Sequence, residues 1–416
     1  QADRVDRGKE MALIVQKYGG SSVADAEKIN NVARRVARTK DEGNQVVVVV
    51  SAMGDTTDDL IKLAYQISEQ PSDREFDVLL STGEIVSSTL LAMALGSLGH
   101  RAISLSGAQA GIHTDSSYSQ ARILRVDTKR VVSESKKGNI VIVAGFQGVS
   151  GKRDITTLGR GGSDTTAVAL AASLGAEICQ IYTDVEGVYT ADPRLVPEAK
   201  KLKEVSYEEM LELATYGARV MHNRAVELGW LYNVPILVAS SFSDSPGTII
   251  CKEASMEVKN KVSGIVHDTN VAKVTVVGVP DHPGIAAAIF EPLARANISI
   301  DTIVQNASIN SITDLTFTVA RTDLLKAMSI VEPVAKSVGG IQCVTDSTLA
   351  KVSIVGTGMQ NTPGYAARMF RALYQHGINI QLITTSEIRI TCIISEDKVK
   401  DAVRALYQAF ELEKET

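Results

Sequence analysis

Val46 to Val50 are five valines in a row behind Gln45, and β-branched side chains pointing alternately to both sides suit a strand buried on both faces. Such a strand belongs to a parallel sheet, whose neighbours are reached through helical crossovers. Ala12 to Gln16, Arg101 to Ser106, Ile140 to Gly145, Glu177 to Thr183 and Ile236 to Ser240 read as further strands. Between them the period becomes helical. One helix starts at Ser22 as N-cap, with Asp25 three residues on and Ala26, Ile29, Val32, Ala33 and Val36 along its inner stripe. Asp58 to Gln70, Ile85 to Leu98 and a pair from Ser206 to Leu228 read as others. Residues 11 to 241 are therefore expected to form a doubly wound α/β domain with a mostly parallel sheet.

Glycine turns sit where these strands become helices. Thr156-Thr157-Leu158-Gly159-Arg160-Gly161-Gly162-Ser163-Asp164 leads into a small-residue helix, with Ser163 or Asp164 as its cap. Such a turn aims amides and a helix N-terminus at an anion, and Arg160 at its mouth suits a carboxylate or phosphate. Lys17-Tyr18-Gly19-Gly20-Ser21-Ser22 repeats the arrangement with a lysine, placed to neutralise a transferring phosphoryl group or else simply solvated. The spacing fits neither the phosphate-binding loop nor the dinucleotide fingerprint. Glu84 is read as opening a helix, as a dipole partner or as an acceptor for a ligand ammonium. Tyr182 to Arg194 is a long polar loop at a strand's carboxyl edge, where open α/β sheets bind ligands.

A formal net charge of −5 with scattered lysines and arginines argues against a nucleic-acid surface, so anionic ligands need local sites. Cys179, Cys251, Cys343 and Cys392 have no metal or dithiol spacing and read as free thiols of a reducing compartment. No apolar run looks long enough to span a bilayer, and Gln1 to Glu10 is polar, which points to the cytoplasm and to no membrane partner. Met11 follows that polar start, so residues 1–10 read as an extension outside the fold.

The last third repeats itself. Val274 to Gly278 with Pro283-Gly284 matches Val352 to Gly356 with Pro363-Gly364; each is followed by a helix, Ile285 to Ala296 or Tyr365 to His376, and a strand, Ile298 to Ile303 or Ile378 to Ile383. With Asp314 to Ala320, Ile388 to Ile394 and terminal helices, two ferredoxin-like βαββαβ units are expected. The resulting division is residues 11–245 for the α/β domain, 246–263 for a linker, and 264–340 and 341–416 for the repeats, with strands open to exchange between them.

Together the lysine turn, Ser51-Ala52-Met53-Gly54, Gly159 to Asp164 and Tyr189-Thr190-Ala191-Asp192-Pro193-Arg194 resemble the aspartokinase family of the amino-acid kinase superfamily, and the repeats resemble its paired ACT domains. The resemblance runs from about Ala12 to Leu412. It implies transfer of the ATP γ-phosphate to the side-chain carboxylate of L-aspartate, a nucleophile that needs no strong base, with Mg²⁺ carried on the ATP phosphates and no metal site of the protein's own. Lys17 would neutralise the phosphates, Gly19 and Gly20 would cradle them, and Asp164 would orient Lys17. Arg160 would grip the α-carboxylate and Glu84 the ammonium group, with Ser51, Thr57, Gly161, Gly162 and Ser163 lining the substrate. Tyr18, Tyr182, Thr183, Asp184, Val188, Tyr189, Thr190, Ala191, Asp192, Pro193 and Arg194 would surround the nucleotide, although Asp184 and Asp192 also read as turn-shaping acids. Arg219 stands where the family often has a lysine.

ACT repeats imply feedback by lysine, threonine or both. Asp281, His282, Pro283, Gly284, Ile285 and Ala286, with Asn297, Ile298 and Gln305, would form half of an effector site. Asn361, Thr362, Pro363, Gly364, Tyr365 and Ala366, with Asn379 and Ile380, would form the other half. A homo-oligomer through these repeats is expected, and Met256 permits a separately started regulatory subunit. Two other readings stay open on sequence: a kinase for glutamate or N-acetylglutamate, and a non-catalytic amino-acid sensor.

Overall fold

The computed structural model describes residues 12–218, 220–252, 262–306, 311–360 and 362–414. The extension, Met11, Met256, most of the linker, Arg219 and Asn361 lie outside the described residues. Contacts divide the chain into two bodies. Of the described residues, one takes those up to Tyr189, Lys201–Thr215 and 220–252; the other takes Thr190–Lys200, Tyr216–Ala218 and those from Val262 on.

The first body runs β1 (Leu13–Tyr18), α1 (Ala26–Asp41), β2 (Gln45–Val50), α2 (Thr56–Ile67), α3 (Asp73–Ser97), β3 (Ala102–Leu105), β4 (Ile112–Thr114), β5 (Ile123–Val126), α4 (Lys129–Lys136), β6 (Ile140–Ala144), β7 (Gln147–Val149), β8 (Ile155–Thr157), α5 (Gly162–Leu174), β9 (Ile178–Thr183), β10 (Glu204–Ser206), α6 (Tyr207–Tyr216), α7 (Asn223–Tyr232), β11 (Ile236–Ser240) and β12 (Thr248–Cys251). Its main sheet has the order β10-β12-β11-β9-β1-β2-β6-β3 and is parallel except where β11 meets β12. The valine strand β2 is buried from Val46 to Val50, as its sequence requires. Chain order reverses beside β1: β2 lies on one flank and β9 on the other, with Tyr18 opposite Tyr182. A crevice opens at the carboxyl ends of such strands. A smaller sheet, β5-β4-β7-β8, carries Thr157 to one side of it.

Helix boundaries differ from the sequence reading in three places. Asp25, not Ser22, caps α1, its carboxylate accepting the Lys28 N–H at 2.9 Å; Ser22 lies in a short 3₁₀ turn and bonds Ser241 instead. Neither Ser163 nor Asp164 caps α5, because Gly161 occupies the cap position at φ +69. Glu84 does not open a helix: α3 is a single 25-residue helix beginning at Asp73, and Asp77, Leu80, Ser81, Glu84, Ser87, Ser88, Leu91 and Leu95 form its buried face. By length and composition alone α3 is apolar enough to cross a bilayer, contrary to the sequence expectation. Its two buried carboxylates and run of serines belong to a helix packed inside a protein.

The second body contains β13 (Gly264–Pro280), α8 (Ile285–Arg295), β14 (Ile300–Gln305), β15 (Ile312–Val319), α9 (Leu324–Ser337), β16 (Gln342–Val355), α10 (Tyr365–Gln375), β17 (Leu382–Thr385), β18 (Arg389–Ser395) and α11 (Val399–Ala409). The repeats share one antiparallel sheet, β14-β15-β13-β16-β18-β17. Two long strands join them. Ala272 to Val276 of β13 pairs with β15 inside the first repeat, while Gly264 to Asp268 pairs with Val355 to Lys351 and supplies the second repeat's outer strand. In sequence that segment opens the stretch 264–340 assigned to the first repeat. Separate cores lie under the two halves: Phe317, Leu315, Ile289 and Leu293 in the first, Leu373, Cys392, Leu406 and Ile265 in the second.

Candidate active site

A cavity of about 1350 Å³ lies at the carboxyl ends of β1 and β2 and the N-terminus of α5. Lys17, Gly19, Gly20, Ser51, Thr57, Glu84, Arg160, Gly161, Gly162, Ser163 and Asp164 all line it, drawn from five separate stretches of chain. Lys17 Nζ stands 2.6 Å from Asp164 Oδ1, and both residues are 8% exposed. Asp164 sits in the first turn of α5, where the helix dipole favours its charge. The buried pair therefore fixes the ammonium group under the glycine turn, with Lys17 Nζ 3.6 Å from where a Cβ on Gly19 would be.

The turn is tight because Gly20 approaches the next loop: a Cβ there would come within 2.9 Å of the Ala52 carbonyl oxygen. Gly19 does not offer its amide to a ligand, since that N–H donates to the Tyr182 carbonyl at 3.2 Å. Glu84 is 3% exposed. Its Oε1 accepts the Ala52 N–H at 3.2 Å, whereas buried Oε2 has no hydrogen-bond partner among the described residues. Burial pushes the Glu84 carboxyl up to about 8. Arg160, by contrast, is exposed at the cavity mouth. Thr57, in the first turn of α2, and Ser51 are half-buried.

Three side chains that sequence reasoning did not single out bear on the site: His222 and Arg224 line the cavity, and Asp77 lies behind its lining. Asp77, fully buried in α3, accepts from the amide and hydroxyl of Ser119 and of Thr157. Arg224 donates to the Leu158 carbonyl at 2.7 Å and the Ala121 carbonyl at 2.9 Å, and burial draws its pKa down. His222 caps α7 through Nδ1, which accepts the Arg224 N–H at 3.3 Å. Its ring lies where a Cβ on Gly161 would be, 2.3 Å from Cδ2, and burial lowers its pKa. The available signal was weak: Asp77 lies seven residues before Glu84 in the same apolar stretch, and His222-Asn223-Arg224 starts a helix.

The expected nucleotide residues do not line this cavity. Tyr18 is fully buried and stacks on Tyr182 at 5.0 Å between sheet and α1, with Arg35 over the Tyr182 ring, so both rings belong to the core. Thr183 donates its hydroxyl to Asp184 at the exposed end of β9. The Val188 N–H donates to Thr248 Oγ1, and Tyr189 pairs with Lys201. Thr190 to Lys200 fold with the second body: Ala191 and Val196 are buried in the second repeat's core, and the Ile265 N–H donates to the Thr190 carbonyl. Asp192 accepts from the Arg194 amide and guanidinium, which holds its carboxyl below the ordinary range and makes it a turn-shaping acid; Pro193 is exposed beside it.

In the repeats, Gly284 and Gly364 both begin their helices at left-handed φ, +101 and +108. Asp281 and Gln305 are neighbours, with 3.5 Å between their polar atoms, while His282, Pro283, Ala286 and Asn297 are exposed. Ile298 and Ile285 pack in or against the first core, and Tyr365, Ala366 and Ile380 against the second; these side chains face inward instead of toward an effector. Thr362 is half-buried; Pro363 and Asn379 are exposed. Because β13 and β16 run antiparallel, the turns that follow them leave opposite ends of the sheet. The two expected halves of an effector site do not meet within one chain.

Comparison with known proteins bears on this geometry. The amino acid kinase family matches residues 12–240, and the ACT domain matches residues 274–333 and 352–410. An aspartokinase of Pseudomonas aeruginosa is 52% identical over 406 residues, covering 97% of this chain and 98% of that protein. The crystal structure of aspartate kinase from Synechocystis is 44% identical, with a TM-score of 0.55 over 96% of this chain and 70% of that one. E. coli aspartokinase III, crystallised with aspartate and ADP, shares the fold, with a TM-score of 0.78 at 24% identity, covering 95% of this chain and 99% of that one.

Proposed function

This chain belongs to the amino acid kinase family and, within it, to the aspartokinases, and on that premise we propose how its residues divide the work. It transfers the γ-phosphate of ATP to the β-carboxylate of L-aspartate, giving 4-phospho-L-aspartate on the way to lysine, threonine and methionine. A carboxylate oxygen forms the new bond to phosphorus while the bond to the β,γ-bridging oxygen breaks and ADP leaves with the charge. The nucleophile is already ionised, so placement and charge neutralisation carry the catalysis.

The observation that carries the assignment is the buried Oε2 of Glu84, without a partner among the described residues, in the same cavity as exposed Arg160 and the Lys17–Asp164 pair. Glu84 receives the α-ammonium group and Arg160 the α-carboxylate, with Ser51, Thr57 and the Gly161-Gly162-Ser163 turn along the side chain. Lys17, held by Asp164, stabilises the transferring phosphoryl group beside the Gly20 amide. The nucleotide enters over the carboxyl edge of β9, past Thr183, Asp184, Val188 and Tyr189. Among the described residues no group of three or more histidines, cysteines or acids forms a metal cradle. We read magnesium as an ion carried by the ATP phosphates, and no step here runs through it.

Lysine, threonine or both act at the Asp281 to Ala286 and Thr362 to Ala366 turns. Since these are at opposite ends of the shared sheet, the effector site is completed by another copy of the chain, or by a regulatory subunit started at Met256. A ligand that binds one arrangement better shifts the population toward it. A cytoplasmic location goes with this reading, as no disulfide joins cysteines among the described residues. The test is ATP-dependent trapping of the acyl phosphate by hydroxylamine, with aspartate or glutamate, with and without lysine plus threonine. Hydroxamate from aspartate that the two amino acids suppress supports the whole reading. Product without suppression removes the effector assignment, and product from glutamate alone removes the substrate assignment.

A further inference from the structure

Asp77 has no exposed surface and does not itself line the cavity, yet its carboxylate is filled by residues that do. Oδ1 and Oδ2 each lie 3.0 Å from the Ser119 N–H, and Oδ1 also accepts the Ser119 hydroxyl at 3.2 Å. The Thr157 N–H donates to Oδ2 at 2.8 Å and the Thr157 hydroxyl to Oδ1 at 2.7 Å. Charge-assisted bonds of this kind are the strong ones, and here they converge from two loops.

Both loops support Arg160. Thr157 ends β8 three residues before it, and its carbonyl accepts the Ala121 N–H at 2.9 Å. Ser119 is held at φ +64, uncommon for a residue with a side chain, and its carbonyl lies 3.1 Å from where a Cβ on Gly159 would be. From the other side Arg224 clamps the Leu158 and Ala121 carbonyls. The arginine loop is thus gripped between a buried carboxylate and a half-buried guanidinium.

Asp77 and Glu84 are seven residues apart on α3, so they share its buried face at a fixed separation of about 10 Å along the axis. Between them the Ser81 carbonyl is tied by Gln147 Nε2 at 2.7 Å. One rigid helix therefore holds the ammonium site directly and the carboxylate site through Asp77. We propose that Asp77 is a positioning residue of the aspartate site, fixing the Arg160 loop relative to Glu84 and so setting the preference for a four-carbon over a five-carbon dicarboxylic amino acid. This rests on reading Arg160 and Glu84 as the two grips on the substrate.

The experiment is steady-state kinetics of the full-length Asp77→Asn enzyme, which keeps the side chain's size but turns an amide NH₂ toward donors. Expected are a rise of about ten-fold or more in KM for aspartate, KM for ATP within about two-fold, and a glutamate-to-aspartate ratio of kcat/KM raised about ten-fold. In an Asp77→Asn/Arg160→Ala double variant, KM for aspartate should stay within about two-fold of that of Arg160→Ala alone, because a residue acting through Arg160 has nothing left to position. Should Asp77→Asn not fold, Thr157→Val and Ser119→Ala each remove one hydroxyl bond and are expected to shift KM for aspartate in the same direction by several-fold. An unchanged KM for aspartate in a folded variant, or equal rises for aspartate and ATP, overturns the proposal. If Arg160→Ala itself leaves KM for aspartate unchanged, the reading beneath it fails instead.

Discussion

Lys17 Nζ lies 2.6 Å from Asp164 Oδ1, with only 10% and 11% of their side chains exposed, and the two residues come from the end of β1 and the first turn of α5. Removing one member of such a pair leaves a buried charge without its counter-ion. Lys17→Met should lower kcat by roughly 10²–10³, the usual cost of losing one electrostatic stabiliser of the transition state. Asp164→Asn leaves the charge but not its aim, and a loss of about ten-fold is expected. The hydroxamate assay on both variants checks the order of the two losses.

Glu84 gives the enzyme a pH signature. Its carboxyl moves from an ordinary 4.5 up to about 8 through burial, so the free enzyme below that pH holds a neutral acid that cannot pair with an ammonium group. kcat/KM for aspartate should therefore climb with pH through about 8, while kcat, which reports the substrate complex, should lack that limb. Glu84→Gln should abolish the limb and raise KM for aspartate.

The same shift predicts a stability effect with a definite sign. Between pH 4.5 and about 8 the folded state keeps a proton that the unfolded state has released, so stability falls as pH rises through this window. The loss is on the order of a few kcal/mol. Glu84→Gln removes it, and its Tm advantage over the parent should grow from pH 5 to pH 9 in thermal melts without ligand.

Gly161 cannot carry a side chain for two reasons. It sits at φ +69, and a Cβ would come within 2.3–2.5 Å of Cδ2, Cγ and Cβ of His222. Gly161→Ala should reduce activity by about ten-fold or more. Adding His222→Gly removes all three clashing atoms but not the backbone strain, so partial recovery of kcat/KM in the double variant is the expected outcome.

Ile265, 2% exposed, belongs to the second repeat's core although it lies at the start of the stretch 264–340 read as the first repeat. Ile265→Ala should cost about 2–4 kcal/mol. Hydrogen exchange should then show protection lost in Val352 to Val355 and in β18, with β14 and β15 little changed. The opposite pattern would contradict the shared strand.

Much of the site was legible because its chemistry is written in short stretches. Lys17 before two glycines, Arg160 and Asp164 around a glycine pair, and Ser51 at a strand end each announce a strand-to-helix turn, and the structure gathers these stretches around one cavity. Asp77, His222 and Arg224 were not legible, because each acts on partners about 40 to 100 residues distant and lies within an unremarkable helical pattern. Tyr18 and Tyr182 looked like ligand residues by their place at strand ends; their alternation in fact turns both rings into the α1 side of the sheet, where they stack.

The sequence by itself determined the periodic features: a valine strand that must be buried on both faces, glycine turns at strand ends, and a repeat that dictates two like units. These depend on residues within a few positions of one another. Only the tertiary structure decided which repeat owns Gly264 to Asp268, that Thr190 to Lys200 fold with the second repeat's core, that Gly19 donates its amide to Tyr182, and that Glu84 lies mid-helix with an oxygen that has no partner among the described residues. The physical reason is that pairing, burial and desolvation depend on which distant groups arrive at the same place, a fact that local pattern does not contain.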